Sequence, residues 1–228
     1  MVSQNEIIPI RIKFEKTGSL MYISHLDMAR TMQRIILRAG IDIWYSEGFN
    51  PQPKVVFAVP LPVGVESVCE FVDIKINSYM SCDEIAARLS KSFPAEMKVL
   101  NVYVPENKLK NIEFIDYAME ISSPSASYEV ASQLTELFSK ELKVVKKSKG
   151  AEKEIDIMDY VKSIKFSYEE GKIKIGAVIH SGSEKNLNPE LVIDAIRANT
   201  KLLNGSPLEE YYSILRKRML RADLTEFE

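Results

Sequence analysis

The order in which hydrophobic periodicities follow one another over the first hundred residues constrains the fold more than any other feature of the chain. Ile8, Ile10, Ile12 and Phe14 alternate with Arg11, Lys13 and Glu15, the two-residue period of a half-buried strand. A Thr17-Gly18-Ser19 turn and the short apolar run Leu20–Ile23 lead to Ser24, an N-cap with Asp27 three residues on. That capping box is imperfect, because Glu or Gln is usual at the third position. Leu26, Ala29, Met32, Ile36 and Ala39 then keep helical spacing up to a stop at Gly40. Val55–Val59 and the β-branched run Val68–Ile76 read as strands. A second helix is predicted over 82–92, capped by Ser81 and closed before Pro94, and Met97–Val104 is a fourth strand. Strand, helix, strand, strand, helix, strand is a split β-α-β order. It predicts a four-stranded sheet backed by two helices, the ferredoxin-like arrangement.

The remainder repeats that order in weaker form. Phe114–Ile121 reads as a strand and Ser127–Ser139 as a helix. Leu142–Val145, Lys162–Phe166 and Ile173–Ile179 are candidate strands. Pro189–Ala198 is a helix with Asn188 as its cap and Pro189 in its first turn. The tail Tyr211–Leu220 fits a strand or a helix equally. No sequence repeat accompanies the repeated order of elements. The expectation is an α+β protein of two tandem ferredoxin-like domains, 1–105 and a degenerate 106–228, with the linker near Pro105–Asn111.

Composition removes whole classes of chemistry. Cys69 and Cys82 are the only cysteines and His25 and His180 the only histidines. A disulfide scaffold, a four-cysteine zinc site, a self-contained iron–sulfur cluster and a three-histidine metal site are therefore excluded. No cofactor or metal is expected. The net charge of -2 offers no overall pull toward nucleic acid or anionic lipid, so any such binding rests on local patches. The opening residues lack the apolar core of a signal peptide, and no apolar run is long enough to span a membrane. A cytoplasmic protein with no membrane partner is expected.

The most unusual segment is Trp44–Gly64, with the only Trp, Tyr45, Phe49 and four of the ten prolines. Pro51 and Pro53 hold Asn50 and Gln52 extended, Gly48 permits a positive φ, and Lys54 stands at the exit. Such stiff loops carry binding function, or else serve as rigid connections that tuck their aromatics under the sheet. His25, Leu26 and Asp27 open the first helix, where free N–H groups suit a phosphate. His25 is a candidate proton donor or phosphate contact with Asp27 to orient it; the plainer alternative is that Asp27 caps and His25 packs. Arg30, Arg34 and Arg38 recur every four residues as a basic ridge, either a phosphate-binding face or simply a solvated one. Lys13, Lys16 and Lys54 add to it only if the fold gathers them. The run Lys140, Lys143, Lys146, Lys147, Lys149 and Lys153, interleaved with acids, reads as a solvated hairpin. Glu70 shares the apolar face of Val68, Val72 and Ile74 and so needs a partner there, whereas Phe71 and Asp73 are expected to look outward. The aromatic RNA-recognition signature, a Gly-rich phosphate loop and a nucleophile elbow are all missing.

The runs IRIKFEKTGSLMYISHLDMARTMQRIILRAG, YSEGFNPQPKVVFAVPLPVGVES and EFVDIKI closely resemble the radical-SAM-linked domain, domain-of-unknown-function family 2344. Specific motifs span residues 8–76. Ser24, His25, Leu26 and Asp27 match the family's Ser-His-Leu-Asp. Ser46, Glu47, Gly48, Phe49, Asn50, Pro51, Pro53 and Lys54 match its Ser-Glu-Gly-Phe-Asn-Pro-x-Pro-Lys. Gln52 stands where His is commoner, which argues against an obligatory ligand or acid–base group there. The resemblance implies a link to radical SAM enzymes and to RNA or ribosome modification. Two cysteines cannot supply the three that a radical SAM cluster needs, so the implied role is an accessory, substrate-recruiting partner of a separate radical SAM enzyme.

Three readings follow. In the first, the chain is an RNA-binding module for tRNA or rRNA, with no DNA target expected. In the second, it is a metal-independent endoribonuclease in which His25 acts as acid or base and Lys54 stabilises the phosphorane charge, by architectural analogy with CRISPR repeat-processing enzymes. In the third, it is a protein-interaction domain without nucleic-acid binding.

Overall fold

The computed structural model describes residues 7–148 and 151–228, an α+β protein with four α-helices among those residues. It divides into two compact units, Met1–Lys110 with Glu228, and Asn111–Phe227.

The first unit runs β1 (Ile8–Lys16), α1 (His25–Arg38), β2 (Val55–Phe57), β3 (Val65–Ile76), α2 (Cys82–Ser92) and β4 (Met97–Tyr103). β1 lies between β4 and β3, and β2 pairs with β3, every pairing antiparallel. Two serines begin the helices. The Ser24 hydroxyl accepts from the Asp27 N–H and donates to the Asp27 carboxylate, and Ser81 accepts from the Glu84 N–H. Both helices cover one face of the sheet. Met28, Met32, Ile35 and Ile36 of α1 and Ile85 and Leu89 of α2 pack on Ile10, Ile12, Phe14, Val72, Ile74 and Ile76. Each such side chain contributes about 1.5–3 kcal/mol by leaving water.

Arg11, Lys13, Phe71 and Asp73 occupy the alternate positions of β1 and β3 and turn away from the helices. Phe71 is nevertheless buried, 1% exposed, with the Lys13 ammonium 5.5 Å from its ring centroid. It faces away from the helices, as its parity predicts, but is covered there and so is no exposed stacking residue. Arg11 is fully buried, and its guanidinium donates to both oxygens of Asp73 at 2.7 and 2.8 Å.

The second unit runs β5 (Phe114–Ser122), α3 (Tyr128–Leu137), β6 (Lys143–Ser148), β7 (Ala151–Asp156), β8 (Val161–Glu169), β9 (Lys172–His180), α4 (Glu190–Asn199) and β10 (Tyr211–Leu220). Its sheet has the order β10-β5-β9-β8, again antiparallel throughout. The undecided tail is therefore a strand. The candidate strand Leu142–Val145 overlaps the start of β6, which pairs with β7 in a separate two-stranded sheet. The Lys-rich stretch forms that hairpin, with Lys149 outside the described residues. Asn188 begins α4 as a cap would, its side chain accepting from the Glu190 N–H at 3.2 Å. Arg216 occupies a core-face position of β10, 1% exposed, opposite Tyr117 and 6.0 Å from its ring.

Among the described residues, no helix is long and apolar enough to cross a membrane.

Candidate functional site

The sequence-predicted residues fall into three places on the first unit. The start of α1 holds the first. Ser24 and Asp27 bond to each other, and Asp27 also pairs with Arg30 at 3.5 Å. Asp27 therefore braces the Ser24 cap. The ring of His25 meets Phe57 edge-on at 5.3 Å. Beneath it lies a cavity of about 10 Å³ bordered by Lys16, Phe57 and Glu70, barely space for one water. Lys16 and Glu70 are 2% and 4% exposed, opposite charges bordering one cavity. Glu70 was legible as a carboxylate on an apolar face. Lys16 was not, although it continues the Ile10, Ile12, Phe14 parity of β1. This enclosed space excludes a substrate, so any ligand of His25 must meet the ring from outside.

The basic ridge forms the second place. Arg30, Arg34 and Arg38 are all exposed along one line of α1. Arg30 is drawn to Asp27, and Arg38 donates to the Ser92 carbonyl at the end of α2.

The third place is the segment between α1 and β2, which folds back on itself. Tyr45 bridges to Pro53, Ser46 N–H donates to the Gln52 carbonyl at 2.9 Å, and Lys54 N–H donates to the Trp44 carbonyl at 3.0 Å. The Ser46 hydroxyl accepts from the Gln52 N–H, which locks the turn. Gly48 at its tip has φ +124°, a conformation other residues avoid. Phe49 beside it is fully exposed at 111%, and Glu47, Asn50 and Pro51 are exposed as well. Trp44 is half-buried, with the Lys75 ammonium 5.3 Å from its ring. The connection thus tucks in Trp44 and presents Phe49.

Lys54 leads into β2, where Val55 and Phe57 join the helix-covered core and Val56 lies opposite Asp73. Lys54 accordingly borders a different cavity from His25. That cavity, about 410 Å³, is walled by Pro9, Lys54, Val56, Asp73, Lys75 and the segment 105–109. The two-residue period of a strand places His25 and Lys54 on opposite faces of the sheet. Tyr103, opposite Arg11 on β4, borders the same buried charge; burial pushes its phenol up against the downward pull of Arg11. Among the described residues no three His, Cys, Asp or Glu side chains gather as a metal would require, and Cys69 and Cys82 form no disulfide.

The family described as "Uncharacterized protein conserved in bacteria (DUF2344)" matches residues 9–189, which include all three places. The chain belongs to the DUF2344 family. No curated protein matches it. Among solved structures, a Cbf5-Nop10-Gar1 complex is similar at 10% identity and a TM-score of 0.49. The alignment covers 92% of this chain and 48% of that one, so the DUF2344 chain spans about half the length of its counterpart. An unknown protein from Galdieria sulphuraria aligns over 92% of this chain and 98% of its own, at 6% identity and a TM-score of 0.27.

Proposed function

We propose that this DUF2344 protein is an RNA-binding accessory module that recruits tRNA or rRNA for a separate radical SAM enzyme. The observation that carries the reading is Phe49. It is fully exposed on a hairpin whose backbone is pinned by hydrogen bonds and whose tip requires a glycine. A phenylalanine held there adds nothing to the core, and an aromatic ring on a stiff support is what an unstacked base packs against. Lys54 at the foot of the hairpin and the ridge of Arg30, Arg34 and Arg38 supply local positive charge that the overall balance lacks. The radical SAM partner rests on the motif resemblance alone. The strand order of each unit, with its two helices, supports reading both as ferredoxin-like domains meeting near Pro105–Asn111.

A nuclease is the weaker reading, because His25 and Lys54 border different cavities on opposite faces of one sheet. A protein-binding reading draws on the same Phe49, since exposed aromatics also anchor protein interfaces.

The test is binding to bulk cellular RNA across a salt series, beside Phe49→Ala and Arg34→Ala. Affinity that falls with salt and with both substitutions is the expected result. A folded protein that shows no affinity near physiological salt refutes RNA recognition and turns the hairpin toward a protein partner. Metal-independent cleavage abolished by His25→Ala reinstates the nuclease.

A further inference from the structure

We infer that the cavity beside Lys54 is a receptor for one nucleotide unit, a phosphate together with its base, carried by a strand or free. The inference rests on the RNA reading and adds a defined site to it.

The walls supply the chemistry. Lys54, Lys75 and Lys108 all line one recess with exposed side chains, the Lys75 ammonium lying 5.3 Å from the Trp44 ring. Two carboxylates are also present, Asp73 and Glu106. Asp73 is already committed to Arg11 through two hydrogen bonds, so it does not neutralise the lysines. The recess is therefore cationic, as a phosphate requires. Pro9, Val56 and Leu109 add apolar surface to the lining, and Val56 is 41% exposed. A phosphate alone has no use for that surface, and an apolar ligand alone has no use for three lysines. A nucleotide uses both.

The wall is fixed in place. The Asn107 carbonyl accepts from Arg11 at 2.8 Å, which ties the segment 105–109 to the buried ion pair. A volume of about 410 Å³ falls inside the roughly 300–1,000 Å³ of small-molecule sites. Lys54 also ends the hairpin that presents Phe49, so an aromatic platform and a cationic recess belong to one continuous segment.

The test is calorimetric titration of the full chain with adenosine 5′-monophosphate, uridine 5′-monophosphate, adenosine, inorganic phosphate and a short single-stranded RNA. Val56→Phe places a bulkier ring in the recess and obstructs its apolar side while keeping all three lysines, and its fold is checked by circular dichroism. Lys75→Ala and Lys108→Ala are substitutions of exposed side chains and keep the test standing should Val56→Phe misfold. Saturable binding of a monophosphate, absent for Val56→Phe and weakened about tenfold by either lysine change, is the expected result. Adenosine and phosphate should each bind at least about tenfold more weakly than the monophosphate, since each uses only half the site. Parallel loss of RNA affinity identifies a strand as the source. Binding of monophosphate but not of RNA identifies a free nucleotide and removes the RNA reading. RNA binding that needs Phe49, yet is indifferent to Val56→Phe and to both lysine changes, overturns the cavity and leaves RNA recognition intact. No binding of any probe overturns both.

Discussion

Replacing Arg11 by Met tests how the first unit carries a buried charge. The guanidinium is fully buried, donating to Asp73 at 2.7 and 2.8 Å, to the Asn107 carbonyl at 2.8 Å and to the Glu228 carbonyl at 3.4 Å. Met keeps the apolar stem and removes every donor, so Asp73 and two carbonyls lose their partner together. Breaking one side of a buried pair costs about 3–5 kcal/mol. Asp73 keeps 27% of its side chain in water, which places the loss at the low end, about 3 kcal/mol. Asp73→Asn should cost more, about 4–5 kcal/mol, because the charge then stranded is the one with no exposure. The double variant Arg11→Met with Asp73→Leu should recover much of that loss, since neither charge remains. Trp44, the only tryptophan, belongs to the same unit, so its fluorescence during urea unfolding reports on the unit that holds Arg11. A loss of about 3 kcal/mol moves the midpoint down by about 1 M urea or more. An Arg11→Met midpoint within about 0.2 M of the parent would refute the reasoning, as would a double variant no better than Asp73→Asn. Because Arg11 also holds Asn107, monophosphate binding should fall in Arg11→Met even where the protein is fully folded.

Phe49→Ala should lower single-stranded RNA affinity by about 1–3 kcal/mol and leave the melting temperature unchanged, since the ring is fully exposed; a drop in melting temperature would show that the ring packs. Leu89, fully buried on α2, should cost about 2–5 kcal/mol as Leu89→Ala, whereas Leu100→Ala on the exposed face of β4 should stay within about 0.5 kcal/mol by the same urea titration. Glu190 is held above the usual carboxylate range, chiefly by burial, with Asp194 adding to the effect and the Tyr212 hydroxyl, donating at 2.9 Å, opposing it. The folded carboxyl therefore holds its proton to higher pH than the unfolded one. Stability should fall as pH rises from the ordinary carboxylate range through the raised value, and Glu190→Gln should flatten that window. Parallel stability–pH curves for the two proteins would contradict this.

Much of the first unit could be read from residue order because its signals are local. Ser24 and Ser81 cap where a hydroxyl three residues before a backbone N–H must cap, and 82–92 is a helix end to end. The second unit was harder for reasons visible in its side chains. Arg216 takes a core-face position and a bulge follows it, so Tyr211–Leu220 loses the alternation that marks a strand. The hairpin that holds Ala151–Asp156 was legible from its interleaved lysines and acids, but the bounds of that strand were not, because its described residues include a single buried apolar one, Ile155. The candidate site divides in the same way. The hairpin motif and Glu70 stand out in one segment each, whereas the recess gathers Lys54, Lys75 and Lys108 from three separate segments. The nuclease reading paired His25 with Lys54, and the pleat of β2 parts them.

The position of β5 has a consequence during synthesis. It lies between β9 and β10, and its β10 partners come roughly a hundred residues later, at least about 5 s of elongation at 5–20 residues per second. Through that interval β9 can cover one side of β5 only late, and β10 later still. The emerging chain thus carries an unsatisfied strand edge that the finished protein does not. Mispairing and chaperone engagement should concentrate in that window, and slower translation after Ser122 should lengthen it.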